Sequence, residues 1–154
     1  MISEVRWLIP FFEIEVYDMK LYILRHGETD WNKEKLLQGK SDVPLNEKGR
    51  TLAKASAEGM KDIPFDLVFS SPLVRARETA KLVLGERELP FILDKRIEEI
   101  GFGDMEGKPW RKTEDFPGDD NIYCFFEHPD QYVPPKGGER LTDLAKRCAD
   151  FMQD

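Results

Sequence analysis

The residues best suited to chemistry lie in segment 20–32 of the chain. A short apolar run, Leu21 to Leu24, predicts a strand that ends directly in Arg25, His26 and Gly27. Open α/β sheets bind their ligands at the carboxyl ends of strands. Arginine offers a fork of donors for phosphate oxygens, a neutral imidazole is a nucleophile, and glycine lets backbone N–H groups approach an anion. Taken alone, however, the tripeptide is explained more simply as a charged turn after a strand.

Three further motifs downstream favour a functional interpretation of this tripeptide over a simple charged turn. They are Gln38-Gly39 with Asp42 to Gly49, then Ser70 to Ala80, then Ile97 to Gly107. Together with residues 25–32, these segments resemble the histidine phosphatase superfamily, also called the phosphoglycerate mutase-like family. Its signature is Arg-His-Gly-[Glu/Gln]-[Ser/Thr]-x-x-Asn. The matches follow the family's order and spacing, and they cover residues 20 to about 148.

The resemblance implies a three-layer α/β/α fold with a mostly parallel central sheet. It also implies a metal-independent phosphomonoester hydrolase, without a cofactor, that forms a phosphohistidine at His26 and so splits one displacement into two easier ones. Arg25 and Arg75 match the family's phosphate clamp, and Asn32 matches a polar contact to phosphate. Thr29 is either a further phosphate contact or a turn residue.

Glu99 lies at the family's acid position in the last motif and is the expected proton donor to the leaving group. A carboxyl suits this task when burial or the approaching phosphate favours its protonated form. Glu98 and Arg77 are the nearest competitors of Glu99 and Arg75, and both are interpreted as solvated surface charges. Glu28, close to the nucleophile, is expected to hold its loop by hydrogen bonding.

One motif of the family has no counterpart in this sequence. The family carries a second essential histidine in a Ser-His-Gly motif, downstream of a Gly-Glu-Ser segment. Here Gly138 and Glu139 match, but Arg140 replaces the serine, and the other histidine, His128, precedes them and is followed by Pro129. The domain is therefore expected to be C-terminally incomplete and to have low activity. The alternatives are an inactive remnant that binds anions or partners, and a phosphoglycerate mutase.

The elements that must position these residues alternate between strands and helices, which favours a layered α/β fold. Asn46 is a favoured N-cap, and Pro72 suits the first position of a helix. Arg75 would then lie in the first turn of that helix, near its positive end. The predicted strands are Leu21–Leu24, Asp66–Phe69 and Phe91–Leu93, and the predicted helices run from Asn46 to about Met60, from Ser71-Pro72 to Gly85 and from Leu141 to Met152.

Two further expectations concern packing. The helix after Ser71 is expected to bury Leu73, Ala76, Ala80 and Val83 on one face. Residues 118–137, rich in Pro, Asp and aromatic residues, are predicted to be an irregular insertion. In the family the corresponding stretch is a lid over the site, and its aromatic residues here favour a phosphate ester with an apolar portion. Ordinary loop packing is the alternative.

The acidic composition restricts the expected partners. The chain has 30 Asp and Glu against 23 Lys and Arg, a net charge of −7, which disfavours a binder of nucleic acid or of membrane surfaces. The expected partner is a phosphorylated small molecule, captured by a local basic site. Two cysteines give no disulfide framework, which favours a cytoplasmic location.

Residues 1–18 are expected to form an N-terminal extension of a domain that spans residues 19–154. The apolar stretch from Trp7 to Phe12 is too short to span a bilayer, and it lacks the features of a secretory signal. In the family, the strand with the second histidine lies inside the sheet. Its absence is expected to leave a gap, which the Trp7–Val16 segment, self-association or a rearranged sheet would cover.

Overall fold

The structure is a computed structural model that describes residues 11–16 and 19–154. Within these ranges the strands are β1 (Phe11–Val16), β2 (Met19–Leu24), β3 (Val68–Ser70) and β4 (Phe91–Leu93), and the helices are α1 (Asp30–Glu34), α2 (Glu47–Gly59), α3 (Val74–Leu84), α4 (Asp120–Glu127) and α5 (Leu141–Met152). Short 3-10 turns occupy Lys95–Ile97, Gly103–Met105 and Pro129–Gln131. The expectations for residues 1–10, 17 and 18 lie outside the described residues.

The strands form two pairs. β3 and β4 are parallel, with Val68 opposite Phe91, and α3 lies between them in the chain as a β-α-β crossover. β1 and β2 are antiparallel, with Phe11 opposite Leu24. Part of the segment expected to be an extension therefore pairs with the strand that leads to Arg25. The predicted α/β class is confirmed.

Helix α2 begins and ends where the sequence predicts. The Asn46 side chain accepts a hydrogen bond from the Gly49 N–H at 2.8 Å, which is the expected N-cap. Its C-cap is Met60. The buried side chains Ala53 and Met60 then pack with Val83 of α3, and Tyr22 and Leu24 of β2 lie against them. This cluster fixes the strand end that carries the first motif against both helices.

Helix α3 does not begin where the sequence predicts. Ser71 and Pro72 precede the helix, which starts at Val74 after Leu73, whose side chain provides no cap. The reason lies far away in sequence, since the Asp42 carboxylate accepts a hydrogen bond from the Val74 N–H at 2.6 Å. A carboxylate at this position satisfies a free donor and favours the positive end of the helix. The predicted end at Gly85, which has a φ of +61°, is confirmed.

The buried face of α3 also differs from the prediction. Arg75, Thr79 and Val83 are its buried residues, whereas Ala76 and Ala80 are only half-buried. Hydrophobic spacing alone missed this face because two of its three residues are polar. They tolerate burial because each makes hydrogen bonds inside the protein.

Residues 118–137 are more regular than the sequence predicts. They contain α4, which begins at Asp119, whose carboxylate accepts a hydrogen bond from the Ile122 N–H at 3.0 Å. Ile122 is buried together with Ile100 and Phe102. The prediction that these residues are irregular is therefore wrong, because Asp119 caps a helix whose apolar residue Ile122 is buried. The last predicted helix, Leu141–Met152, is confirmed. No helix in the described residues is long and apolar enough to cross a membrane.

The loop after β2 and the start of α2 approach each other so closely that only glycine fits. A Cβ at Gly49 would lie 2.1 Å from the Glu28 carbonyl oxygen, and a Cβ at Gly27 would lie 2.7 Å from the Gly49 carbonyl oxygen. These distances are far below van der Waals contact, and the atoms involved are backbone atoms that cannot rotate away. The two segments therefore hold each other in place.

Replacing Gly49 by Ala should destabilise the protein by about 1–3 kcal/mol, the usual cost of forcing extra volume into a packed site. Urea unfolding measures the change. Gly59→Ala is the matched control, because Gly59 is an exposed residue of the same helix, where alanine should be neutral or stabilising. Equal stability of the two variants would show that the Gly49 contact does not constrain the loop.

Candidate functional site

The site is built on the loop that follows β2. The Gly27 N–H donates to the Thr79 hydroxyl at 3.0 Å, and that hydroxyl donates to the Arg75 carbonyl at 2.7 Å. This chain of hydrogen bonds joins the loop to the first turns of α3. The side chains that follow β2 and those that begin α3 are thus held together by fixed backbone geometry.

His26 is held as a neutral imidazole. Its Nδ1 lies 2.7 Å from the Gly27 carbonyl oxygen, an acceptor only, so Nδ1 carries the proton and donates it. Burial, the largest cause, together with the positive charges of Arg75 and Arg25 lowers the pKa of His26 to about 4, although the Gly27 hydrogen bond opposes the shift. Nε2 therefore keeps its lone pair at neutral pH, as a nucleophile requires.

Arg75 is a cation inside the protein. Only 1% of its surface is exposed, and it donates to the carbonyl oxygens of Ser41 at 2.8 Å and Gly39 at 2.6 Å. Burial lowers the pKa of Arg75, whereas the nearby carboxylates of Glu99 and Asp42 oppose that shift. A guanidinium has five N–H donors, so two bonds leave three without a partner among the described residues.

The carbonyls that Arg75 binds are held in turn by Glu106. Its carboxylate accepts hydrogen bonds from the Lys40 N–H at 2.9 Å, the Ser41 N–H at 2.8 Å and the Phe102 N–H at 3.0 Å. A Cβ at Gly39, whose φ is +53°, would fall on this carboxylate. Glu106 was not selected from the sequence as a site residue, although it lies in the last of the four motifs.

Arg25 is the exposed cation of the site. Among the described residues it makes no hydrogen bond or ion pair, so its donors are available to a ligand. Glu28 behaves as the sequence predicts, because its carboxylate accepts from Asn46 at 3.1 Å and from Lys48 at 2.9 Å. These bonds tie the loop to the start of α2.

Thr29 and Asn32 form the capping box of α1. The Asn32 N–H donates to the Thr29 hydroxyl at 3.1 Å, and the Thr29 N–H donates to the Asn32 side-chain oxygen at 3.0 Å. Thr29 is fully buried, and its hydroxyl donates to the Gln38 side chain at 2.8 Å. The geometry favours the turn interpretation of Thr29. The Asn32 amide nitrogen makes no hydrogen bond within the described residues and stays available.

Glu99 is exposed. One carboxylate oxygen accepts a hydrogen bond from the Ile100 N–H at 3.2 Å, and its charge acts on Arg75. Arg77 is not the solvated charge that the sequence predicts, because it is half-buried and its Nε is buried without a hydrogen-bond partner. The packing of Arg77 on α3 therefore buries part of its side chain although the side chain is charged. His128 is exposed at the end of α4, where its ring contacts Tyr123.

These observations bring together a neutral imidazole, two arginines and one carboxylate. Arg25 and Arg75 both act electrostatically on His26, and Glu99 acts on Arg75. An anion placed between the two arginines would meet free N–H donors and an unprotonated ring nitrogen. Among the described residues, no group of three or more His, Cys, Asp or Glu side chains is arranged to hold a metal ion.

Comparison with known proteins gives a consistent result. The model of the histidine phosphatase superfamily (branch 1) matches residues 21–154. The uncharacterized phosphatase PhoE of Bacillus subtilis (strain 168) is 41% identical over 102 residues, which are 66% of this chain and 52% of that protein. The 2,3-bisphosphoglycerate-dependent phosphoglycerate mutase of Beijerinckia indica is 34% identical over 139 residues, which are 87% of this chain and 66% of that protein. The chain thus spans about half to two thirds of the length of these relatives.

A solved structure extends the comparison to the fold. Bacillus stearothermophilus YhfR superposes with a TM-score of 0.73 at 37% sequence identity, covering 84% of this chain and 63% of that one. The phosphoglycerate mutase-like α/β fold expected from the sequence is therefore confirmed.

Nitrogen NMR of the imidazole rings tests the state of His26. At pH 7 the spectrum should show a protonated Nδ1 and an unprotonated Nε2, and the ring should titrate near pH 4. The unfolded chain then binds more protons at His26 between pH 6.5 and 4, so this residue makes folding less favourable as the pH falls through that range. A ring that titrates near pH 6.5, or that carries its proton on Nε2, would refute the assignment.

Proposed function

The chain belongs to the histidine phosphatase superfamily, and we propose that it hydrolyses phosphate monoesters through a phosphohistidine formed at Nε2 of His26. The observation that carries this proposal is the neutral imidazole, with its proton fixed on Nδ1, next to two arginines with free donors. Such a group is ready to attack phosphorus without first losing a proton. The coarser assignment, a phosphatase or mutase of this superfamily, follows from its relatives.

The first half of the proposed reaction transfers the phosphoryl group to the protein. Arg25 and Arg75 bind the phosphate oxygens, and Asn32 adds a further donor. Nε2 of His26 attacks phosphorus, and the bond from phosphorus to the ester oxygen breaks. Glu99 gives its proton to that oxygen, so the substrate alcohol leaves uncharged.

The second half regenerates the protein. Water attacks the phosphohistidine and gives one proton to the Glu99 carboxylate, the nitrogen–phosphorus bond breaks, and inorganic phosphate leaves. Glu99 thus ends as it began, protonated. Since Glu99 is exposed, the charge of the incoming phosphate is the cause that favours this protonated form, because like charges repel.

Hydrolysis is proposed over mutase activity because a mutase must retain a bisphosphorylated intermediate, and the described residues of the site show no group that would hold a second phosphoryl group. The turnover is proposed to be low. The chain has two histidines, and His128 lies exposed at the end of α4 and contacts Tyr123, which is not the place of the family's second histidine at a strand end. Losing one preorganised group that stabilises transition-state charge typically costs about 10²–10³-fold in turnover.

We further propose that residues 118–137 act as a lid in a domain spanning residues 19–154. Helix α4 packs through Ile122 against Ile100 and Phe102, just after Glu99 in the chain, and it presents the exposed rings of Tyr123 and Phe126. On a lid over the phosphate site, exposed aromatic rings would favour a phosphorylated small molecule with an apolar portion.

Rapid quenching after mixing with labelled substrate tests the intermediate. The label should be acid-labile and base-stable, should lie on the peptide that contains His26, and should be lost in His26→Ala. His128→Ala is the control and should keep it. Turnover of p-nitrophenyl phosphate should be unchanged by a chelator.

Two results would contradict the proposal: an acid-stable adduct on a serine or aspartate, or turnover that requires a divalent metal. Binding of inorganic phosphate without label or turnover would instead support the inactive anion-binding remnant.

A further inference from the structure

Arg147, on α5, makes an unusual set of contacts with the segment that carries Glu99. Its Nη1 donates to the carbonyl oxygens of Arg96 at 2.6 Å and Glu98 at 2.8 Å, and its Nη2 donates to the Glu99 carbonyl at 3.2 Å. The same guanidinium forms a two-pronged pair with Glu139, through Nε at 2.6 Å and Nη2 at 2.9 Å. Arg147 lies outside the four sequence motifs.

These contacts use every N–H donor that the side chain has. One bond comes from Nε, two come from Nη1 and two come from Nη2, which accounts for the five donors of a guanidinium. Arg147 therefore has no donor left for a substrate phosphate. Arg75 differs, because three of its donors have no partner among the described residues. The role of Arg147 therefore lies within the protein.

Glu139 binds the same segment at Gly101. Its carboxylate accepts a hydrogen bond from the Gly101 N–H at 3.3 Å, and its own N–H donates to the Gly101 carbonyl at 2.8 Å. The hydrogen bond from Arg147 holds the pKa of Glu139 down at about 2, so the pair stays charged. Together the two side chains form hydrogen bonds with the backbone before and after Glu99.

The Glu99 side chain needs such support because it has little of its own. It is exposed, and its hydrogen bond is to the N–H of the adjacent Ile100. The position of its carboxyl group therefore depends on the position of its backbone. A displacement of 1 Å at a reacting group can cost on the order of 10²-fold in rate.

We propose that Arg147 and Glu139 form a positioning pair that holds Glu99 where it can protonate the leaving group. The inference rests on the proposed function of Glu99 and extends it to two residues outside the phosphate site. Neither residue touches substrate, and the pair acts through the backbone of residues 96–101.

The test compares Arg147→Lys, which keeps the charge but loses the planar fork, with Lys146→Met, its exposed neighbour on α5. Turnover is measured with an alkyl phosphate, whose alcohol leaves poorly, and with p-nitrophenyl phosphate, whose phenol leaves well. Arg147→Lys should slow the alkyl phosphate by about 10²-fold, the cost of displacing a reacting group by about 1 Å, with little change for p-nitrophenyl phosphate. Lys146→Met should change neither rate.

Arg147→Lys is then combined with Glu99→Gln. Glu99→Gln alone should slow turnover of the alkyl phosphate and not that of p-nitrophenyl phosphate. Arg147→Lys should add nothing further there, because the acid it positions is already gone. A structural role would instead slow both substrates alike and would add fully to Glu99→Gln. Either of those results would overturn the proposal.

A measurement without turnover separates this inference from the proposed function. In Arg147→Lys the amide NMR signals of Glu99, Ile100 and Gly101 should shift, and their hydrogen exchange should accelerate, whereas Lys146→Met should leave them unchanged. Unchanged amides in Arg147→Lys would refute the positioning pair, whatever the activity. If the unsubstituted protein turned over no substrate, the proposed function would fail, and the amide signals would still decide whether the pair holds Glu99.

Discussion

The buried guanidinium of Arg75 is the interaction on which the rest of the site depends. A buried cation is costly unless hydrogen bonds and opposite charges compensate for its lost hydration. Here the carbonyls of Gly39 and Ser41 supply the hydrogen bonds, and the carboxylates of Glu99 and Asp42 supply the charge. Three donors have no partner among the described residues, so a phosphate group could complete the hydrogen bonding of this cation.

The same charge also acts on His26. Burial is the main reason that His26 stays neutral, and the field of Arg75 adds to it. The Gly27 carbonyl then decides which ring nitrogen keeps the proton. The fold achieves this by linking three segments, since the Gly27 N–H is tied to Thr79 and the Gly39 carbonyl is tied to Arg75. The proposed phosphate binding and nucleophile activation would thus share one set of contacts.

The sequence predicts the parts of this structure that depend on local interactions. Asn46 caps the residues next to it, and Gly85 ends α3 by its own backbone conformation. The features that the sequence did not predict involve contacts between distant segments. Asp42 moves the start of α3 by binding Val74, 32 residues away. Glu106 binds backbone N–H groups about 65 residues away, and Arg147 binds carbonyls about 50 residues away. No local pattern in the sequence marks such partners.

A crystal structure with orthovanadate tests the central claim most directly, because vanadate adopts the five-coordinate geometry of phosphoryl transfer. The account predicts a bond from vanadium to Nε2 of His26, with donors of Arg25 and Arg75 on the vanadate oxygens and Nδ1 still bonded to the Gly27 carbonyl. Vanadate bound through Nδ1, or bound away from His26 with Arg75 unchanged, would contradict it.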